Sequence, residues 1–280
     1  MREINVKDIT ELVEKLCIDA CCKLGDDVFA AFKKFKASEQ SELGKSILST
    51  LEENAHIAKD NMEPACQDTG MTVVFVDLPQ SVQIVGGHIE DAINEGVRRG
   101  YEKGFLRKSV VKDPINRVNT KDNTPAIIHY EISRGDKLRI SVMPKGFGSE
   151  NMSQLKMLKP SDGIEGVKNF VIKTVSEAGA NPCPPVIIGV GIGGTMDKAA
   201  SLAKMSLMRP IGSVNPDPQL AALEAELLEK INKLGIGPAG FGGTTTAMAV
   251  HVDTYATHIA GLPVAVNVGC HAYRLAAADL

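Results

Sequence analysis

Six cysteines in 280 residues divide by their neighbours into two groups. Cys17, Cys21 and Cys22 fall in a stretch with helical apolar spacing, where a reduced thiol fills space as a small hydrophobe. Cys66, Cys183 and Cys270 lie instead in Glu63-Pro-Ala-Cys-Gln-Asp-Thr-Gly70, Asn181-Pro-Cys-Pro-Pro185 and Asn267-Val-Gly-Cys-His271, each at the edge of an element. Pro182 and Pro184 push Asn181 and Cys183 toward extended backbone, and a thiol on a stiffened loop suits a fixed ligand. The three stand 117 and 87 positions apart, which excludes the close pairs of structural zinc and the compact four-cysteine run of ferredoxin-type clusters. Spacing alone leaves metal ligation and ordinary thiols both open.

Other chemistry-bearing residues need the same weighing. Gln67 and Asp68 directly follow Cys66, so their side chains start within a few ångströms of any group that it binds. Arg107 carries a planar fork able to hold both oxygens of a carboxylate. Lys145-Gly-Phe-Gly-Ser149 offers main-chain N–H groups, Gly146 among them, to an anion. His258 is by type a proton donor; the sequence alone suggests no role for His56, His88, His129 and His271, although His271 adjoins Cys270. Gly189-Val-Gly-Ile-Gly-Gly194 fits a dinucleotide fingerprint, but no strand ending in an acidic residue follows about 20 residues later. These glycines read as a tight turn near Cys183.

The elements that must position these groups are legible in outline. Val6, Ile9, Leu12, Val13, Leu16, Cys17, Ala20 and Leu24 share a helical face that ends at Gly25, and helices are expected at 26–36 and 38–59. Thr72–Leu78 reads as a buried strand, followed by a helix to Lys103. Ala126–Ile132 and Lys137–Met143 alternate with period two across Ser133-Arg-Gly-Asp136, a hairpin signal. Helices at 163–178, 195–208 and 218–234 and strands at 186–190, 247–252 and 264–268 complete an α/β (mixed α+β) chain. It reads as one domain over 1–280, with a helical region at 1–60 and a mixed sheet with flanking helices at 61–280. No internal repeat is visible.

The bulk numbers exclude several classes. A net charge of -3 gives no field for nucleic acid or an anionic membrane. No apolar run reaches the roughly 20 residues that span a bilayer. The N-terminus resembles no signal or transit peptide, so a cytoplasmic location with reduced cysteines is expected.

Taken in order, Pro64-Ala-Cys-Gln-Asp-Thr-Gly70, Leu106-Arg-Lys-Ser109, Met143-Pro-Lys-Gly-Phe-Gly-Ser-Glu-Asn151, Cys183-Pro-Pro and His258-Ile-Ala-Gly-Leu-Pro263 leading to Cys270 resemble the class I fumarases and the iron–sulfur tartrate dehydratases. Relatives often have a further glycine where this chain has Phe147. The resemblance implies a [4Fe–4S] cluster on Cys66, Cys183 and Cys270 with one iron lacking a protein ligand. It implies substrate contact by Gln67, Arg107 and Gly146, and catalysis by Asp68 orienting His258. It also implies an α-type subunit that needs a separate β-type subunit in a dimer of heterodimers. The expected substrates are malate and fumarate first and L(+)-tartrate second. An electron-transfer iron–sulfur protein and a nucleotide-binding dehydrogenase are distant alternatives.

Overall fold

The computed structural model describes residues 2–280. Its elements are β1 (Arg2–Asn5), α1 (Val6–Cys22), α2 (Asp26–Ser38), α3 (Glu42–Asn61), β2 (Met71–Pro79), β3 (Val82–Val85), α4 (Ile89–Lys103), β4 (Ile127–Ser133) and β5 (Arg139–Lys145). There follow α5 (Phe147–Glu150), β6 (Gln154–Leu158), α6 (Gly163–Ala178), β7 (Val186–Gly193), α7 (Met196–Ser206), α8 (Pro218–Asn232), β8 (Ala247–Tyr255), β9 (Leu262–Gly269) and β10 (Ala276–Asp279). The mixed α+β expectation holds. None of the described helices is long and apolar enough to cross a membrane. Contacts divide the chain into two compact units. One comprises Met1–Gly25, Asn54–Phe147 and Arg274–Leu280; the other comprises Asp26–Glu53 and Gly148–Tyr273.

In the first unit a four-stranded sheet runs β10-β5-β2-β4. The unbroken apolar run of β2 places it inside the sheet, antiparallel to β5 and parallel to β4. This overturns the expected hairpin: β4 and β5 do not pair, because β2 lies between them. Local alternation and a short Gly-containing link predict a hairpin, but a strand some 50 residues upstream occupies the place. Val74, Val76, Ile140 and Val142 face α1 and α4 in one core with Ile9, Val13, Cys17, Cys21 and Cys22. The three helical cysteines are thus core residues. Gly96 and Gly100 let α4 lie directly on α1, since a Cβ there would come within 2.7 Å of the Thr10 carbonyl oxygen and 2.8 Å of that of Glu14.

The second unit has its own four-stranded sheet, ordered β6-β9-β7-β8. Period-two alternation sorts β7 by size: Ile188 and Val190 pack with α6 and α8, whereas Gly189 and Gly191 face α7. A Cβ on either glycine would overlap a backbone carbonyl of α7, Ala203 and Ala199 respectively. The first part of the glycine-rich motif therefore serves close strand–helix packing rather than the expected turn. Only Gly193 and Gly194, at φ +95° and +68°, form a turn.

Candidate active site

Each sheet gathers chemistry at one end. In the first unit, Met71 pairs with Lys145, so the loop entering β2 and the loop leaving β5 lie side by side. The entering loop carries Cys66, Gln67 and Asp68; the leaving loop carries Gly146. Both carboxylate oxygens of Asp68 are engaged: Oδ1 accepts the Gly70 N–H and Oδ2 accepts the Phe147 N–H, each at 2.9 Å. One N–H of the Lys145–Ser149 stretch, expected to cradle an anion from outside, is therefore taken by Asp68. Each oxygen keeps a further lone pair for another donor.

Gly70 and Gly146 have no room to be anything else. Gly70 has φ +75° and its Cβ would stand 2.5 Å from the Lys145 carbonyl carbon. At Gly146 a Cβ would meet the Arg274 guanidinium at 2.7 Å and Asp68 Oδ2 at 3.2 Å. Arg274 is buried and donates to the Asp68 carbonyl oxygen. Sequence reasoning missed it, and its place four residues beyond Cys270 is the only sign of it in the chain. Arg107 is exposed, and its carbonyl oxygen accepts the Thr69 hydroxyl at 2.9 Å. The structure thus brings Cys66, Gln67, Asp68, Gly146 and the Arg107 segment together.

In the second unit Ile187 pairs with Gly269, which sets the segment before β7 beside the end of β9. Cys183 precedes the one and Cys270 follows the other. The Cys183 carbonyl oxygen accepts the His271 backbone N–H at 3.4 Å and its ring Nδ1–H at 3.0 Å, so His271 fastens the two cysteine segments. Cys183 is not extended, as its place before Pro184 predicts. It has φ +55°, in a turn closed by its N–H on the Ala180 carbonyl at 3.0 Å. A non-glycine residue in the left-handed region costs roughly 1–2 kcal/mol, and here it presents an exposed thiol. Behind Cys270, Asn267 donates to Glu150 at 3.0 Å and to Ser153 at 3.1 Å, and Glu150 also accepts from Lys204 at 2.6 Å.

His258 lies on the exposed turn between β8 and β9, where its Nδ1 accepts the Ala260 N–H at 3.1 Å. In the neutral ring that bond puts the remaining proton on Nε2. Asp68 belongs to one unit and His258 to the other.

The six thiols differ in burial. Burial pushes the Cys21 thiol up to about 12, and it raises Cys17 as well. Such groups stay protonated, and only a thiolate binds metal. Cys66, Cys183 and Cys270 are half-buried or exposed on loops, and none of the six is in a disulfide. Among the described residues no three His, Cys, Asp or Glu side chains gather closely enough for a single metal ion. A cluster is a larger body bound through separate thiolates, and three accessible thiols suit it.

The profile of the family described as Fumarate hydratase (Fumerase) matches residues 10–279. The chain belongs to that family. This fumarase-family chain is 45% identical over 276 residues to a protein of Methanocaldococcus jannaschii provisionally named L(+)-tartrate dehydratase subunit alpha, covering 96% of each. It is 37% identical over 273 residues to proteins named L(+)-tartrate dehydratase subunit alpha in Escherichia coli strain K12 and Shigella sonnei strain Ss046. Those alignments cover 96% of this chain and 89% of theirs.

Proposed function

We propose that this chain is the α-type subunit of an iron–sulfur hydro-lyase acting on a small hydroxy-dicarboxylate in the cytoplasm, with L(+)-tartrate ahead of malate as its substrate. The names of the three relatives reverse the order of substrates expected from the sequence. The observation that carries the reading is the family match across nearly the whole chain, with Cys66, Cys183 and Cys270 all on accessible loops. A [4Fe–4S] cluster on these three cysteines would supply a Lewis acid with an open position for the substrate hydroxyl.

The protein's own groups do the rest. Arg107 holds a substrate carboxylate through its fork, assisted by Gln67 and the main chain at Gly146. Asp68, fixed by two N–H groups, and His258, whose Nε2 bears the ring proton, are the groups assigned to protonating the departing oxygen. Removing the neighbouring C–H proton falls to a group from a β-type subunit, and we read the assembly as a dimer of heterodimers.

The test is anaerobic reconstitution with iron and sulfide. Both should be taken up by the parent and by Cys17→Ala, and lost in Cys66→Ala, Cys183→Ala and Cys270→Ala. Uptake by the triple variant sinks the ligand assignment. The chain should show little dehydratase activity until mixed with its β-type partner. Tartrate and malate assays on that complex then decide the substrate.

A further inference from the structure

We infer that Thr69 and Asn123 are positioning residues that set the placement of Arg107 relative to the Gln67–Asp68 pair, and so the grip on a substrate carboxylate. This rests on the reading of Arg107 as the carboxylate clamp.

The argument starts from two loops that carry opposite ends of the recognition machinery. One holds Gln67 and Asp68, the other Arg107, and both are mostly irregular backbone. Irregular segments hold a spacing only where buried groups fix them. Asn123 is fully buried, and its side chain bonds to both loops. Its Oδ1 accepts the Ser109 N–H at 2.7 Å and the Val110 N–H at 3.2 Å, and its Nδ2 donates to the Gly70 carbonyl at 3.2 Å. Thr69, 1% exposed, adds the second tie through its hydroxyl on the Arg107 carbonyl. Tyr101 donates to the Thr69 carbonyl at 2.7 Å and anchors that tie from below.

Asn123 is itself fixed. It has φ +62°, a region that asparagine tolerates better than most residues. Its neighbour Asp122 accepts both the Thr124 N–H at 3.0 Å and the Arg98 guanidinium at 3.2 Å. Neither Thr69 nor Asn123 needs to touch substrate. A bidentate clamp is sensitive to its carrier, because a shift of about 1 Å in placement can cost on the order of a hundredfold in rate.

The experiment uses the chain co-expressed with its β-type subunit and loaded with cluster, assayed with L(+)-tartrate and with (S)-malate. Thr69→Val keeps shape and removes the hydroxyl. It should raise KM about tenfold and change kcat less than about threefold, with iron content unaltered, while Thr69→Ser restores the parent KM. Asn123→Asp, which keeps the acceptor and loses the donor to Gly70, should do the same. Both variants should speed hydrogen exchange at Ser109 and Val110. In an Arg107→Ala background, Thr69→Val should add nothing further to KM, since a positioning residue acts through the group it positions. Additive effects in that background, or an unchanged KM in both Thr69→Val and Asn123→Asp, overturn the inference. An Arg107→Ala enzyme with normal KM overturns the clamp reading, and this inference with it.

Discussion

The two four-stranded sheets share one plan. In each, an antiparallel edge strand (β10 or β6) borders a second strand (β5 or β9), which borders a central strand (β2 or β7), whose far neighbour (β4 or β8) runs parallel. In each, a helical crossover joins the central strand to its parallel neighbour, as parallel pairing requires. Chemistry collects at the start of the central strand and the end of its antiparallel neighbour both times. What differs is the cargo. The first unit presents one cysteine, a carboxylate and glycine; the second presents two cysteines. Close helix packing is also reached from opposite sides: α4 gives up its side chains at Gly96 and Gly100, whereas β7 does so at Gly189 and Gly191. A backbone plan can thus be used twice with unrelated side chains, and the identity of the loop residues decides what each copy does.

The largest test of that division concerns the two groups proposed to handle protons, one in each unit. His258→Ala should lower kcat of the assembled enzyme about a thousandfold, with cluster content retained. Asp68→Asn should lower kcat similarly while leaving Nδ1 of His258 on Ala260. Normal activity in either variant would take that residue out of the chemistry.

The packing contrast is broken next. Gly189→Ala sets a methyl group against the backbone of α7, and Gly96→Ala sets one against α1. Both should destabilise the protein, by about 3 and about 2 kcal/mol respectively, in the range seen for overpacked cores. Thermal unfolding measures both, and an unshifted midpoint would mean that the helices are free to move apart.

The smallest effect separates the units by acid. In the second unit burial, and then Arg209 nearby, holds His251 down to about 4. Its unfolded value lies near 6.5, so the unfolded chain binds a proton between these limits that the folded unit refuses. Stability is therefore lost as pH falls from 6.5 toward 4. Glu39 extends the loss. Burial would raise its carboxyl, but the N–H groups of Ser41 and Thr244 and the hydroxyls of Thr245 and Thr244 outweigh it and hold it near 2. Its stabilisation is present above the unfolded value of about 4.3 and disappears as pH falls through about 2. Asp253 on β8 shifts the other way, raised by burial, as does Asp77 in the first unit, by burial and then by Glu131. The acids lowered there, Glu95 and Asp122, sit in partly exposed pairs with Arg98 of small worth. Amide exchange in β8 should therefore quicken in mild acid before that in β2, and His251→Gln should narrow the gap.

Much of this could be read from the residues, and the failures share a cause. Strong local patterns succeeded: the apolar face of α1 with its cysteines, the buried run of β2, and the helices at 163–178 and 218–234. The hairpin failed because nearest-neighbour pairing competes with a distant strand that no local signal announces. The repeated plan of the sheets was invisible because main-chain hydrogen bonds, not side-chain identities, define it. Cys66, Cys183 and Cys270 stood out by their loop settings. Arg274, His271, Asn123 and Thr69 did not, since each acts on backbone atoms of segments remote in the chain.

The interleaving of the units has a consequence for synthesis. Residues 274–280 return to the first unit, where β10 closes the edge of the sheet beside β5 and Arg274 seats itself under Asp68. A chain leaving the ribosome from its N-terminus has made Asp68 and all of β2 about 200 residues before this last piece emerges. The Asp68 loop thus takes its final form only when the closing segment arrives, so a nascent or C-terminally clipped chain would carry its cysteines without a finished site around them.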